Sequence, residues 1–186
     1  MTDATVLSAM ILNSARIPLK DNYGRFKVIL NEPDCSDSTI EISGLPQDAL
    51  VIKADSWPAP DQVFAGSKGE CKRADYVIIS EKNNKTVVIC IEMKKSNNST
   101  SKKIIEQLTG AKCFILYCQS IGRGFWSERD FLGDAVYRFV GFCHTSSIRK
   151  RPTRVTRTSS IHDQPDQFLK IDWPNHVEFN RLTGQV

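Results

Sequence analysis

Asp75, Glu92 and Lys94 are the residues of this chain best suited to chemistry, because each interrupts or borders an otherwise apolar run. Asp75 precedes Tyr76-Val77-Ile78-Ile79, and Glu92 and Lys94 end the run that starts at Val87. Two β-branched runs joined by a short polar turn form a hairpin pattern. Asn tolerates positive φ, so Asn83 and Asn84 can make a two-residue loop. That loop pairs residue 82 with 85, and by the same count residue 75 with 92. Residues opposed in this way share one face of a sheet with Cβ atoms roughly 4.5–5.5 Å apart. Lys94 joins that face by the period of two, whereas Val87, Ile89, Ile91 and Met93 take the other face and can be buried. Two converging carboxylates beside an ammonium can hold a hard divalent cation and orient or polarise a water. A solvated cross-strand charge cluster at a sheet edge is the open alternative. Charges on a buried strand are costly unless paired, metal-bound or functional.

Asp75, the hairpin, the tripeptide Glu92-Met93-Lys94, a polar loop and a helix bearing Gln107 together resemble the PD-(D/E)XK nuclease superfamily, the restriction-endonuclease-like fold. The resemblance implies an α/β fold whose core is a helix, a three-stranded antiparallel meander, a second helix and a further strand. Residues 75–117 carry it, and the flanks match only in element order. It implies that Asp75 and Glu92 bind Mg²⁺, for which Mn²⁺ can substitute. The Met93 backbone carbonyl would add a ligand, Lys94 would position the attacking water, and Gln107 would lie near the site. The implied activity is hydrolysis of nucleic acid, DNA favoured over RNA, with endonucleolytic cleavage expected; a catalytically inactive binding module on the same fold is the alternative. Two features depart from the pattern. Ala74 stands where the family's name places Pro, and the first helix carries no Glu. Pro60-Asp61 matches the letters but sits in a turn-rich stretch without a strand pattern, where Pro is disfavoured as a paired residue. Glu70 could supply the missing carboxylate, although its strand phase is open.

The elements that must position these groups follow from periodicity. Val6, Leu7, Met10 and Ile11 have helical spacing, with Asp3 as a candidate cap, and predict an amphipathic helix within 2–17. Strands are expected over 26–30, 39–42 and 50–54, with a turn cluster at 31–38. A helix is expected from about 102 to 120, with Ile104, Leu108, Ala111, Ile115 and Cys118 as its buried stripe, Gln107 at the margin, and Gly122 to Gly124 ending it. Further strands are expected over 135–143, 167–172 and 176–179, the last two joined by a turn at Trp173-Pro174.

With 186 residues, 40% of them hydrophobic and 25% charged, the chain is expected to form one domain over its full length. The net charge of +4 permits a nucleic-acid partner without requiring one. Two segments concentrate it. Lys68, Lys72 and Arg73 accompany Gly66 and Gly69, where the backbone could admit a phosphate, or where a hairpin connection carries solvated charges. Arg149, Lys150, Arg151, Arg154 and Arg157 form a basic tract within 149–157, suited to phosphate contacts or to a solvated loop. None of the six cysteines forms a Cys-x-x-Cys pair, and the three histidines have no ligand spacing. Free thiols in a reducing cytoplasm are therefore expected, with no zinc site. No membrane span or leader is legible, and cleavage of both strands of a duplex would call for a homodimer.

Overall fold

A computed structural model of the chain describes residues 2–32, 35–95, 100–143, 154–155, 161–172 and 174–184. Helix α1 (Asp3–Met10) is followed by β1 (Arg16–Ile17), β2 (Lys20–Asn22), β3 (Arg25–Glu32), β4 (Cys35–Leu45) and β5 (Leu50–Lys53). Then come β6 (Tyr76–Lys82), β7 (Lys85–Lys94), α2 (Ser101–Phe125) and β8 (Val136–Cys143). The chain closes with β9 (Arg154–Val155), β10 (Leu169–Asp172), β11 (His176–Glu178) and α3 (Phe179–Thr183).

The fold is α/β with two mixed sheets. Seven strands form the main sheet in the order β1-β5-β6-β7-β8-β10-β9, and four form a second sheet in the order β11-β4-β3-β2. Strands β5, β6 and β7 are an antiparallel meander, and α2 then crosses over so that β8 runs parallel to β7. Each face of the main sheet is covered. Val77, Ile79, Val88 and Cys90 pack on one side with Leu7 of α1 and Ile104, Leu108 and Ile115 of α2. Ile78, Val87, Ile89, Ile91 and Met93 pack on the other with Val28, Leu30, Ile40 and Ile42 of the second sheet. A strand buried on both faces must be apolar throughout, which is why β7 reads as a continuous hydrophobic run.

The hairpin register is the one expected from the turn: Lys82 pairs with Lys85 and Tyr76 with Ile91. Asn83 and Asn84 both adopt positive φ, 51° and 60°, as a two-residue turn matched to the strand twist requires.

Several boundaries differ from expectation. Helix α1 stops at Met10, because Asn13 and Ser14 offer the backbone side-chain alternatives to a helix and Arg16 donates to the Ile11 carbonyl and to Ser8 Oγ. Its cap is Thr2, whose hydroxyl accepts from the Thr5 amide; Asp3 instead accepts from Thr86 Oγ1 at 2.6 Å and from the Leu132 amide at 3.2 Å. Helix α2 passes through Gly122 instead of ending there. A Cβ at Gly122 would lie 2.2 Å from the Phe131 ring, so that glycine serves close packing and not termination. Strands β3 and β4 reach into the expected turn cluster. Finally, β10 and β11 lie in different sheets, and Trp173 of the expected turn between them lies outside the described residues.

Candidate active site

The site forms where β6 begins and β7 ends. Asp75 stands one residue ahead of the ladder, and its position is held from two directions. The Met93 amide donates to its carboxylate at 2.6 Å, and its own carbonyl accepts from the Ala54 amide at 2.8 Å. Asp75, Glu92 and Lys94 share the residue parity of Val77, Val88 and Cys90, so all three face the helix side of the main sheet. On the opposite face, the Tyr76 hydroxyl donates to the Asn31 carbonyl at 2.5 Å and brings the end of β3 alongside.

Glu92 is completely buried, at 0% exposure. Neither of its carboxylate oxygens has a hydrogen-bonding partner of good geometry among the described residues, and Lys94 Nζ lies against Oε1 as an ion pair. Lys94 keeps 21% of its side chain exposed, so the cluster reaches solvent through it. Asp75 is partly buried, with protein packed around most of its carboxyl group.

Burial pushes Asp75 up from 3.8 to about 7; the Met93 amide and Lys94 pull it down, and Asp55 and Glu32 add to the rise. Burial likewise raises Glu92, Asp75 adds to this, and Lys94 opposes it. For Lys94, burial works against the charge, but Glu92, Asp75 and Glu32 outweigh it and hold the ammonium above its ordinary range. A proton on Glu92 would deprive Lys94 of the partner that raises it. Asp75 and Glu92 are both raised and titrate together with Lys94, and the proton that their burial favours is one a metal ion would displace.

The electrostatic neighbours Asp55 and Glu32 escaped the sequence reading. Glu32 is buried and accepts from the Lys95 amide at 3.0 Å. Its signal was the alternation Val28, Leu30, Glu32, which turns all three inward. Asp55 follows β5; one of its oxygens is buried without a hydrogen bond among the described residues, and the other lies 3.8 Å from Lys53 Nζ. No local pattern marks it, because its place depends on the β5–β6 register.

Gln107 lies on α2 and donates to the Arg73 carbonyl at 3.4 Å, bracing the segment that enters Asp75. Arg73 is turned inward, its guanidinium bonded to the carbonyls of Asp55 and Trp57, so it anchors a loop and does not face solvent as a free phosphate ligand would. Lys68 and Lys72 are exposed. Glu70 is not drawn into the carboxylate pair: it is exposed, its carboxylate accepts from the Lys68 amide at 2.7 Å, and loop amides lower its pKa. Arg149, Lys150, Arg151 and Arg157 lie outside the described residues. Arg154 is in β9, opposite Asp172 at the far edge of the main sheet.

The donor set suits a hard divalent ion in one respect and limits it in another. A buried carboxylate with unused lone pairs is what such an ion requires. Yet among the described residues no group of three or more His, Cys, Asp and Glu side chains could hold a metal. Asp75 and Glu92 would therefore supply at most two side-chain ligands to such an ion, and a backbone carbonyl such as that of Met93, water or substrate oxygens would have to supply the remainder. Mg²⁺ is commonly bound in this way, by one or two carboxylates and substrate phosphates.

A second grouping on the outer sheet does not make a hydrolytic triad. Ser43 Oγ lies 2.6 Å from His176 Nε2 and donates to Glu178 Oε1 at 2.8 Å. The acid thus binds the hydroxyl rather than the far imidazole nitrogen, and Ser43 is buried.

No helix among the described residues is long and apolar enough to cross a membrane. No family profile, curated protein or solved structure matches this chain.

Proposed function

We propose that the chain is a metal-dependent nuclease of the PD-(D/E)XK type that hydrolyses phosphodiester bonds of nucleic acid, DNA favoured. The observation that carries the reading is the Glu92 carboxylate, fully buried and, among the described residues, ion-paired with Lys94 alone, next to an Asp75 that burial raises to about 7. Such a cluster lacks one positive charge. The element order supports the same reading, since α1, the meander β5-β6-β7, helix α2 and parallel β8 follow the succession that the resemblance implies.

On this reading Asp75, Glu92 and the Met93 carbonyl hold Mg²⁺ or Mn²⁺. The bound ion would polarise a phosphate oxygen and lower the pKa of a water. The chain's own groups do the rest. Glu92 and Asp75 keep Lys94 protonated, so its ammonium can orient the nucleophile or face the charge that grows on phosphorus oxygens. The Met93 amide fixes the Asp75 rotamer, and Gln107 steadies the backbone before it. The five free cysteines among the described residues suit a reducing, intracellular setting. Cutting both strands would need a second copy of the chain.

The test is incubation with labelled single- and double-stranded DNA and RNA in Mg²⁺, Mn²⁺ or EDTA, comparing wild type with Glu92→Gln. Cleavage confined to metal-containing reactions and lost in the variant is expected. Metal-independent cleavage, or full activity in Glu92→Gln, would refute the assignment. One observation favours a second reading, a non-catalytic binding module: Lys94 already neutralises Glu92 by direct contact. That module would bind nucleic acid equally well with metal or EDTA and cut under neither condition.

A further inference from the structure

A cleft apart from the carboxylate pair opens between the loop that follows β5 and the outer surface of α2. Its volume is about 620 Å³, and Trp57, Phe64, Lys68, Lys72, Cys113 and Tyr117 are among the residues that line it. The walls are mainly apolar. Trp57 stacks on Tyr117, with ring centroids 6.1 Å apart and planes within 12°, and tilts against Phe114 at 5.2 Å. Trp57 and Tyr117 thus line the cleft as a stacked pair, and Phe64 and Tyr117 remain 54% and 56% exposed.

The rim carries two exposed ammonium groups. Lys68 and Lys72 are exposed, and neither has an acidic partner among the described residues. Two acids share the rim: Glu70 accepts from the Lys68 amide at 2.7 Å, and Glu106 lies 3.9 Å from Lys102, which adds a third cation beside it. The cleft is also preformed. Gly110 lets the Lys72 carbonyl approach α2 so closely that a Cβ there would sit 1.9 Å from its oxygen. Arg73 pins the same strand entrance to the carbonyls of Asp55 and Trp57.

We infer that this cleft binds an unstacked nucleobase from a single-stranded segment, with the flanking phosphates on Lys68 and Lys72. An aromatic platform beside a cationic track is the combination that single strands recognise, because every base offers a π-face and every nucleotide a phosphate. A duplex cannot use it without unpairing. The inference rests on the nuclease reading for its purpose, and the chain links the two places. Lys72 precedes Asp75 by three residues, a span of at most about 11 Å, and Glu106 and Gly110 flank Gln107 on α2. A base seated here would hold its strand beside the carboxylates.

The test measures binding in EDTA, where cleavage cannot interfere, using a fluorescent single-stranded DNA oligonucleotide and the duplex of the same sequence. Phe64→Ala and Tyr117→Ala remove exposed rings, and unchanged melting temperatures would verify that the fold is intact. Together they are expected to weaken single-strand binding by about 10-fold or more while leaving duplex binding nearly unchanged. Scanning one abasic position through the oligonucleotide should find a position that costs the wild type a similar factor and costs the double variant little. Equal losses on single strand and duplex, no loss at all, or no single-strand binding by wild type would each overturn the inference. A wild type that binds through this cleft and never cleaves would remove the nuclease reading alone. Normal metal-dependent cleavage with unaffected binding in the double variant would remove the base site alone, leaving the cleft to another occupant such as an apolar peptide.

Discussion

Asp75→Asn isolates the electrostatic strain of the site. Asn keeps the shape of Asp and its Oδ1 can still accept the Met93 amide, so the substitution removes charge and little else. Asp75 moves from 3.8 to about 7 on folding, mainly through burial. Between those values the folded chain holds a proton that the unfolded chain has released, so stability falls as pH rises through this window and levels off above it. At ~1.4 kcal/mol per pH unit, a gap of about three units sets a ceiling of about 4 kcal/mol. Water at the exposed edge of Asp75 lowers the expected value to about 2 kcal/mol. For a chain of this size that is a fall of roughly 4–8 °C in melting temperature. The assay is thermal unfolding in EDTA at pH 5 and pH 8. Because pH 5 to 8 crosses about two of those three units, wild type should lose about two thirds of those degrees between the two pH values. Asp75→Asn should lose clearly less and should be the more stable protein at pH 8. Adding Mn²⁺ at pH 8 should restore wild type and not the variant. If both proteins show the same pH dependence, Asp75 is not strained and the charge argument for the site collapses.

Other outcomes follow from the same geometry. Lys94→Ala should reduce the single-turnover cleavage rate by at least ~10²-fold while substrate affinity changes much less; a normal rate with weakened binding would make Lys94 a phosphate holder only. Gly110→Ala places a methyl group 1.9 Å from the Lys72 carbonyl oxygen, and overpacking of this kind should cost about 1–3 kcal/mol in denaturant unfolding, with displacement of the loop before Asp75; unchanged stability would mean that the loop is not held against α2. Replacing Arg149, Arg151 and Arg154 together by Gln should reduce the slope of log affinity against log salt by about 0.9 per lost duplex phosphate contact, or about 0.7 on a single strand. An unchanged slope would direct attention to Lys68 and Lys72.

The sequence alone determined what local chemistry controls. The register of the β6–β7 hairpin depends on two asparagines that accept positive φ and on a side-chain period of two, both readable without a partner segment. The stripe Ile104, Leu108, Ala111, Ile115 of α2 is legible for the same reason, since its period belongs to the helix itself. The carboxylate pair and Lys94 therefore emerge on one face before any tertiary contact is known. Tertiary structure decided how buried that face is. Glu92 becomes a fully buried carboxylate, paired only by Lys94 among the described residues, because of long-range packing around the main sheet. Glu32 arrives from the second sheet, tied in by Tyr76 and Asn31 across 45 positions of chain. Arg73 reads as a free cation in sequence and proves to be a backbone anchor, because its partners at Asp55 and Trp57 are brought in by the β5–β6 pairing. Gly122 reads as a stop and proves to be a contact with Phe131. In each case the deciding interaction joins segments separated along the chain, and periodicity and turn chemistry carry no information about which distant surface will arrive.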